Sequence, residues 1–252
     1  SVRRQRQMCI RDSNDGNNSA SNISVDFGFV QYDFGDLPDG NATNTPNYNT
    51  NDANSGASHV VVPGLTIGSV VDPETDGQPS PTAEGDDPLT GTDTQDDEDG
   101  IAIFPPIVAG QTVTISVSTV NSLTEDAILY GFIDFNGDGD FNDPNEVVTA
   151  TVTANSGAGT FELAFDVPVD SPINNNVGAR FRLSTDPTLG SDNGAANGDS
   201  VNGEVEDYIV EVIGHEYGDL PDGYGTIKSG TVITPAYHVI TDTLYFLSLI
   251  HI

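Results

Sequence analysis

Six stretches read as strands, several of them with apolar and polar residues alternating at period two: Gln111–Thr119, Ile128–Phe135, Glu146–Thr153, Thr160–Val167, Gly178–Ser184 and Asp207–Ile213. The first puts Val113, Ile115 and Val117 on one face and Thr112, Thr114, Ser116 and Ser118 on the other. The fourth does the same with Phe161, Leu163, Phe165 and Val167. Such alternation predicts half-buried strands, and turn-rich connections between regularly spaced strands predict a sandwich. No long stretch repeats at helical spacing. The expected fold is all-β: an antiparallel β-sandwich of jelly-roll or immunoglobulin-like type, with long acidic loops.

Upstream the pattern thins. Ile23–Val30 reads as a strand, and Val60–Val62 and Leu65–Val71 as short ones. From Asp72 to Asp99 the chain carries eleven acids and neither Lys nor Arg. A stretch this long without periodicity is either disordered or functional. The plain reading is a solvated acidic loop. The preferred reading is that Asp72, Glu74, Asp76 and the cluster Asp96–Asp99, with Asp97 and Asp99 as ligands, fold over one or more cations.

The sharpest chemical pattern lies between the second and third strands. Asp134, Asn136, Asp138 and Asp140 stand at every second position, separated in part by Gly137 and Gly139. A hard cation takes six to eight oxygens at roughly 2.3–2.6 Å, and glycines let a tight loop curl side chains around it. The spacing matches the first half of an EF-hand loop. The match then departs, because Asn145 stands at the twelfth position and Glu146 one residue later. The expectation is a calcium loop hung between strands, with Asp134, Asn136, Asp138, Asp140 and Glu146 as ligands. The alternative is an ion-free Asn/Asp/Gly turn.

Charge sharpens this reading. The formal net charge is −32, from 39 acids and seven Lys and Arg. Such a surface disfavours nucleic acid and anionic lipid as partners, since both need basic clusters. It favours bound cations or a salty medium. Both ends resemble a translated adapter from transposase-based sequencing libraries: Arg3–Ser13 in one orientation and Leu247–Ile252 in the other. Segments 1–13 and 247–252 are therefore expected to be artefacts of a metagenomic fragment, and set aside. The single Cys9, the single Met8 and four of the seven basic residues go with them. No disulfide is then expected, and direct membrane insertion of the fragment is not expected either.

The chain also repeats itself. Gly35–Gly40 recurs residue for residue as Gly218–Gly223, and His59-Val-Val is echoed by His238-Val-Ile. That implies tandem domains with a boundary near Gly214. The expected layout is a last strand of a preceding domain (14–31), a main domain (32–213) and the start of a second, truncated repeat (214–246). Asn22–Val30 resembles the last strand of collagen-adhesin B-type repeats. Gly203-Glu-Val-Glu-Asp207 resembles the signature of the GEVED domain of bacterial extracellular proteins. Gly-Asp-Leu-Pro-Asp at 35–39, the loop Asp134–Glu146 and Ala179–Ser184 agree with that family in order and spacing. One departure is Phe132, where the family usually has Trp.

The resemblance implies a non-catalytic module of large, repetitive, adhesin-like proteins, extracellular or on the bacterial cell surface, with adjacent repeats as neighbours and an unidentified protein or glycan as ligand. Arg180 and Arg182 are the only Lys or Arg between Arg11 and Lys228. They share a strand face, and Glu204 and Glu206 have the same spacing. One reading is an Arg–Glu ladder across two strands, since guanidinium forks bind carboxylates bidentately. The other places the Glu pair at a metal and the Arg pair in solvent. Among function classes, a carbohydrate-binding sandwich with structural calcium, attached to an extracellular enzyme, ranks second, because no Trp platform exists. An enzyme ranks third. Gly198-Asp-Ser200 is similar to an esterase motif but sits in a Gly/Asn/Asp loop, and His59 and His238 read as structural.

Overall fold

The computed structural model describes residues 30–40, 46–85, 97–173, 175–190, 193–217 and 237–239. The strands are β1 (Tyr32–Phe34), β2 (Ser58–Val60), β3 (Leu65–Ile67), β4 (Ile107–Val108), β5 (Thr112–Asn121), β6 (Ala127–Ile133) and β7 (Val147–Val152). They continue with β8 (Gly157–Asp166), β9 (Asn175–Ser184), β10 (Asp199–Ser200), β11 (Glu204–Ile213), β12 (His215–Tyr217) and β13 (Tyr237–Val239). Two short 3-10 turns, Asp52–Asn54 and Asn193–Ala196, are the helical segments among the described residues. All six stretches read as strands form them. Val60–Val62 and Leu65–Val71 do so only in part, as β2 ends at Val60 and β3 at Ile67. The two terminal segments, the strand expected at 23–30 apart from Val30, and most of 214–246 lie outside the described residues.

Two sheets face each other. One runs β3-β5-β8, the other β4-β11-β9-β6-β7. Val113, Ile115 and Val117 of β5 and Leu163 and Phe165 of β8 pack against Leu129 and Ile133 of β6, Phe181 and Leu183 of β9, and Val210 and Val212 of β11. Each apolar side chain taken fully out of water contributes about 1.5–3 kcal/mol. The outward face of the smaller sheet stays polar. Thr112 and Ser116 on β5 donate to Asp166 (2.6 Å) and Glu162 (2.7 Å) on β8. The pairing is antiparallel except at two short edges, where β4 runs parallel to β11 and β10 parallel to β2.

The larger sheet is covered on its outer face as well, which alternation did not foretell. Leu37, Tyr48, Phe141, Ala195 and Ala196 pack there against Tyr130 and Phe132. Phe132 is fully buried, with the Phe141 ring 5.7 Å away and the Tyr130 ring stacked at 6.2 Å. The smaller aromatic at this position therefore still anchors a second core. A third, small sheet, β1-β2-β10, continues this covering layer.

Strands β12 and β13 reproduce the opening of the fold. In the β1–β2 pair, Asp33 stands opposite His59. In the β12–β13 pair, Glu216 stands opposite His238. Glu216 precedes Gly218 by the same two residues that separate Asp33 from Gly35.

Candidate functional site

Arg180 and Arg182 are fully buried on the outer face of β9, beneath the covering segments. In the antiparallel register Arg180 lies opposite Asp207 and Arg182 opposite Val205. Glu204 and Glu206 lie opposite Leu183 and Phe181, so they point to the other face. The Arg–Glu ladder is therefore corrected: the fork of Arg180 grips Asp207, with Nε and Nη2 each 2.8 Å from a carboxylate oxygen. The solvent-facing arginines of the alternative are contradicted as well, since both are buried.

Asp207 Oδ2 also accepts the backbone N–H groups of Asp36 (2.8 Å) and Leu37 (2.9 Å). A side chain on Gly35 would collide with Asp207, its Cβ falling 2.2 Å from Oδ2. That close approach is why glycine opens the Gly35–Gly40 turn. Asp36 passes the linkage on, accepting from Gln78 N (3.2 Å) and Gly85 N (2.8 Å). The opening motif and the last acid of the 203–207 motif are thus one hydrogen-bonded unit.

Arg182 is held by neutral groups. It donates to His59 Nε2 (2.9 Å) and to the carbonyls of Ala195 (2.6 Å), Asn197 (3.0 Å) and Gly198 (2.8 Å). His59 must accept at Nε2, so its proton sits on Nδ1, facing the Asn202 carbonyl at 2.9 Å. Burial, and then the Arg182 charge, hold His59 well below its ordinary pKa. The sign follows: the unfolded chain takes up a proton below about pH 6.5 and the folded chain does not, so this histidine costs stability as pH falls through that value. We expect His59→Gln to flatten the fall in urea midpoint between pH 7 and pH 5 relative to wild type. An unchanged slope would contradict a buried neutral His59.

The loop Asp134–Glu146 is framed from inside. Asp134 is fully buried; its oxygens accept from Gly137 N (2.6 Å), Gly139 N (2.9 Å) and Tyr48 Oη (2.8 Å). Gly137 and Gly139 have φ of +71° and +94°, the left-handed region that glycine adopts without strain. Glu146 closes the base of the loop, accepting from Phe135 N and Asp143 N, both at 3.0 Å. Burial, reinforced by the Asp134 and Asp143 charges, pushes Glu146 up to about 7. Asn136 Nδ2 donates to Asp138 (3.0 Å) and Asp143 (2.8 Å). The acids whose oxygens converge within 4.8 Å are Asp138, Asp140 and Asp143, at the solvent side. Asp143 was not singled out from sequence, although it lies in the same loop.

The long acidic segment divides. Glu74 and Asp97 come together, joined by Asp33 of β1, which sequence reasoning missed. Asp72 approaches through its backbone N–H, 3.0 Å from Asp97 Oδ2. Asp76 lies apart, accepting from Asp52 N at 2.7 Å, and Asp99 caps Ser69 N at 2.7 Å. Asp96 is outside the described residues. Glu206 accepts from Gly100 N (2.9 Å) and Tyr208 Oη (2.8 Å), and burial, with the Asp99 and Asp97 charges, pushes it up to about 8. Carboxylate oxygens alone make up both converging groups, a donor set suited to a hard cation such as calcium.

The two facing sheets, the covered arginine face and the acid-rich loops define an all-β sandwich module. Residues 128–211 match the family model of the GEVED domain. The match runs from β6 through the Asp134–Glu146 loop to β11. No curated protein matches the chain.

Proposed function

We propose that the chain is a non-catalytic, calcium-stabilised structural or adhesion module of a large, repetitive protein secreted by bacteria or displayed on their surface. The observation that carries it is the β12–β13 pair. One residue, Gly214, separates it from β11, and its register matches that of the β1–β2 pair, which supports modules joined with almost no linker. Modules joined this way suit a stalk that presents an adhesive surface, toward a protein or glycan, away from the cell. Calcium neutralises the acidic loops and stiffens each module.

Side-chain placement speaks against the esterase-like reading of Gly198-Asp-Ser200. Ser200 Oγ donates to the Asn202 carbonyl and lies 2.6 Å from Ser184 Oγ, and it is buried. His59, its neighbour across the β2–β10 pair, has Nε2 occupied by Arg182. A general base needs that nitrogen free to take the serine proton. No helix among the described residues is long and apolar enough to cross a membrane.

An ion that binds only the folded state adds about 2.7 kcal/mol at a hundredfold excess over Kd. Thermal unfolding of the full chain in 1 mM calcium and in excess EDTA tests the reading. A melting temperature several degrees lower in EDTA is expected, with restoration by added calcium. Identical transitions would remove the calcium part of the proposal.

A further inference from the structure

Three carboxylates from distant parts of the chain converge near the start of β11, and Glu204 is an electrostatic neighbour of two of them. Asp33 lies on β1, Glu74 and Asp97 lie near the two ends of the acidic segment, and Glu204 begins β11. Each is oriented by a backbone N–H on one oxygen. Val205 donates to Asp33 (2.6 Å), Phe34 to Glu74 (3.0 Å), Asp72 to Asp97 (3.0 Å) and Ile67 to Glu204 (2.5 Å). One oxygen each from Asp33, Glu74 and Asp97 lies within 4.8 Å of the others. Two oxygens on opposite sides of a calcium ion, each about 2.4 Å from it, stand about 4.8 Å apart.

Glu204 supplies the second, independent sign. It is fully buried, and its Oε1 has no hydrogen-bond partner. Its electrostatic neighbours include Asp33, Glu206 and Asp97. A buried carboxylate oxygen without a donor costs free energy, and neighbouring acids raise that cost. A cation among them removes it. We propose that Asp33, Glu74, Asp97 and Glu204 form a buried calcium site that fastens the opening strand and the acidic segment to the signature strand. Glu206 stands outside the ligand set, since Gly100 and Tyr208 occupy its oxygens. The set is all carboxylate, without His or Cys, which favours a hard cation such as calcium over zinc. The site is separate from the Asp134–Glu146 loop and rests on the proposed function only for the choice of calcium.

Calorimetric titration of the chelator-stripped full chain with calcium chloride tests it, using wild type, Glu204→Gln and the double variant Asp138→Asn/Asp140→Asn. The amide introduced by Glu204→Gln keeps an oxygen for the Ile67 N–H, so folding, checked by circular dichroism, is expected to persist. Wild type should bind at two classes of site. Glu204→Gln should lose one class, or weaken it at least tenfold, and keep the other. The loop double variant should show the converse. In EDTA, Glu204→Gln should melt at or above wild type because a buried negative charge is gone, and calcium should then raise its melting temperature less than that of wild type. If Glu204→Gln fails to fold, Glu74→Gln, at a half-buried position, must lose the same class. Wild-type stoichiometry and affinity in the Glu204→Gln protein, or in Glu74→Gln where that variant decides, overturns the site. Loss of all binding in the loop double variant overturns it too, while leaving calcium stabilisation through the loop intact. No binding by wild type overturns both.

Discussion

Replacing Asp207 with Asn should destabilise the protein by about 3–5 kcal/mol, the loss expected when one partner of a buried ion pair is removed. Arg180 and Asp207 are both fully buried, and their bidentate contact is the ion pair on which the outer face of β9 is built. The neutral amide keeps the shape but presents one acceptor where the carboxylate offered two to Arg180, Asp36 and Leu37. The guanidinium is then left charged in a low-dielectric site. The measurement is the urea midpoint at constant m-value. The double replacement Arg180→Met/Asp207→Leu should cost clearly less than the sum of the single changes, because it leaves neither member of the pair buried without the other. Additive losses, or a loss below about 1 kcal/mol in Asp207→Asn, would show that the pair is not desolvated in solution.

The inner core of this sandwich was legible and the outer one was not, for a reason visible at β9. On β5 the two faces meet different media, apolar core and water, so the sequence alternates and the period gives the strand. On β9 both faces are buried, and what covers the second face is a set of loops with little periodicity of their own. Ala179–Ser184 still alternates, yet its polar partner set could not be assigned, because strand register decides which residue faces which. A shift of one residue moves every side chain to the opposite face. Glu204 and Glu206 share the spacing of the arginines but have the wrong parity, and Asp207 has the right one. The candidate metal residues divide along the same line. Asp138 and Asp140 are close in sequence and close in space. Asp33, Glu74 and Asp97 converge through long-range contacts, such as that of Asp33 with the Val205 N–H near the start of β11, that no local spacing records. The sign that could have pointed to Asp33 is its register with the repeat: Glu216 holds the equivalent place before the second Gly-Asp-Leu-Pro-Asp-Gly, so an acid stands there in both copies.

The loop Asp134–Glu146 mixes two roles that mutation can separate. Asp134 should matter with or without a cation. Asp134→Ala leaves Gly137 N, Gly139 N and Tyr48 Oη without their acceptor. Hydrogen bonds to a charged group are worth about 1.5–3 kcal/mol each, and the losses overlap, so about 3 kcal/mol or more is expected in EDTA and in calcium alike. Tyr48 carries the damage further, since its hydroxyl also accepts from Gly178 N (2.9 Å) and its ring packs on Phe141 (5.1 Å). Asp138 behaves differently. It is exposed, and its oxygens meet Asn136 and Asp140 within the loop. In EDTA, Asp138→Asn should change stability by no more than about 0.5 kcal/mol, as surface substitutions do, and relief of repulsion from Asp140 and Asp143 favours a small gain. In calcium the same change should remove most of the ion's stabilisation, because the converging set Asp138, Asp140 and Asp143 loses a charge. The two variants thus cross: Asp134→Ala is costly in both media, Asp138→Asn only where calcium is present. Equal effects of Asp138→Asn in calcium and EDTA would make this loop a hydrogen-bonded turn whose acids are there for solubility.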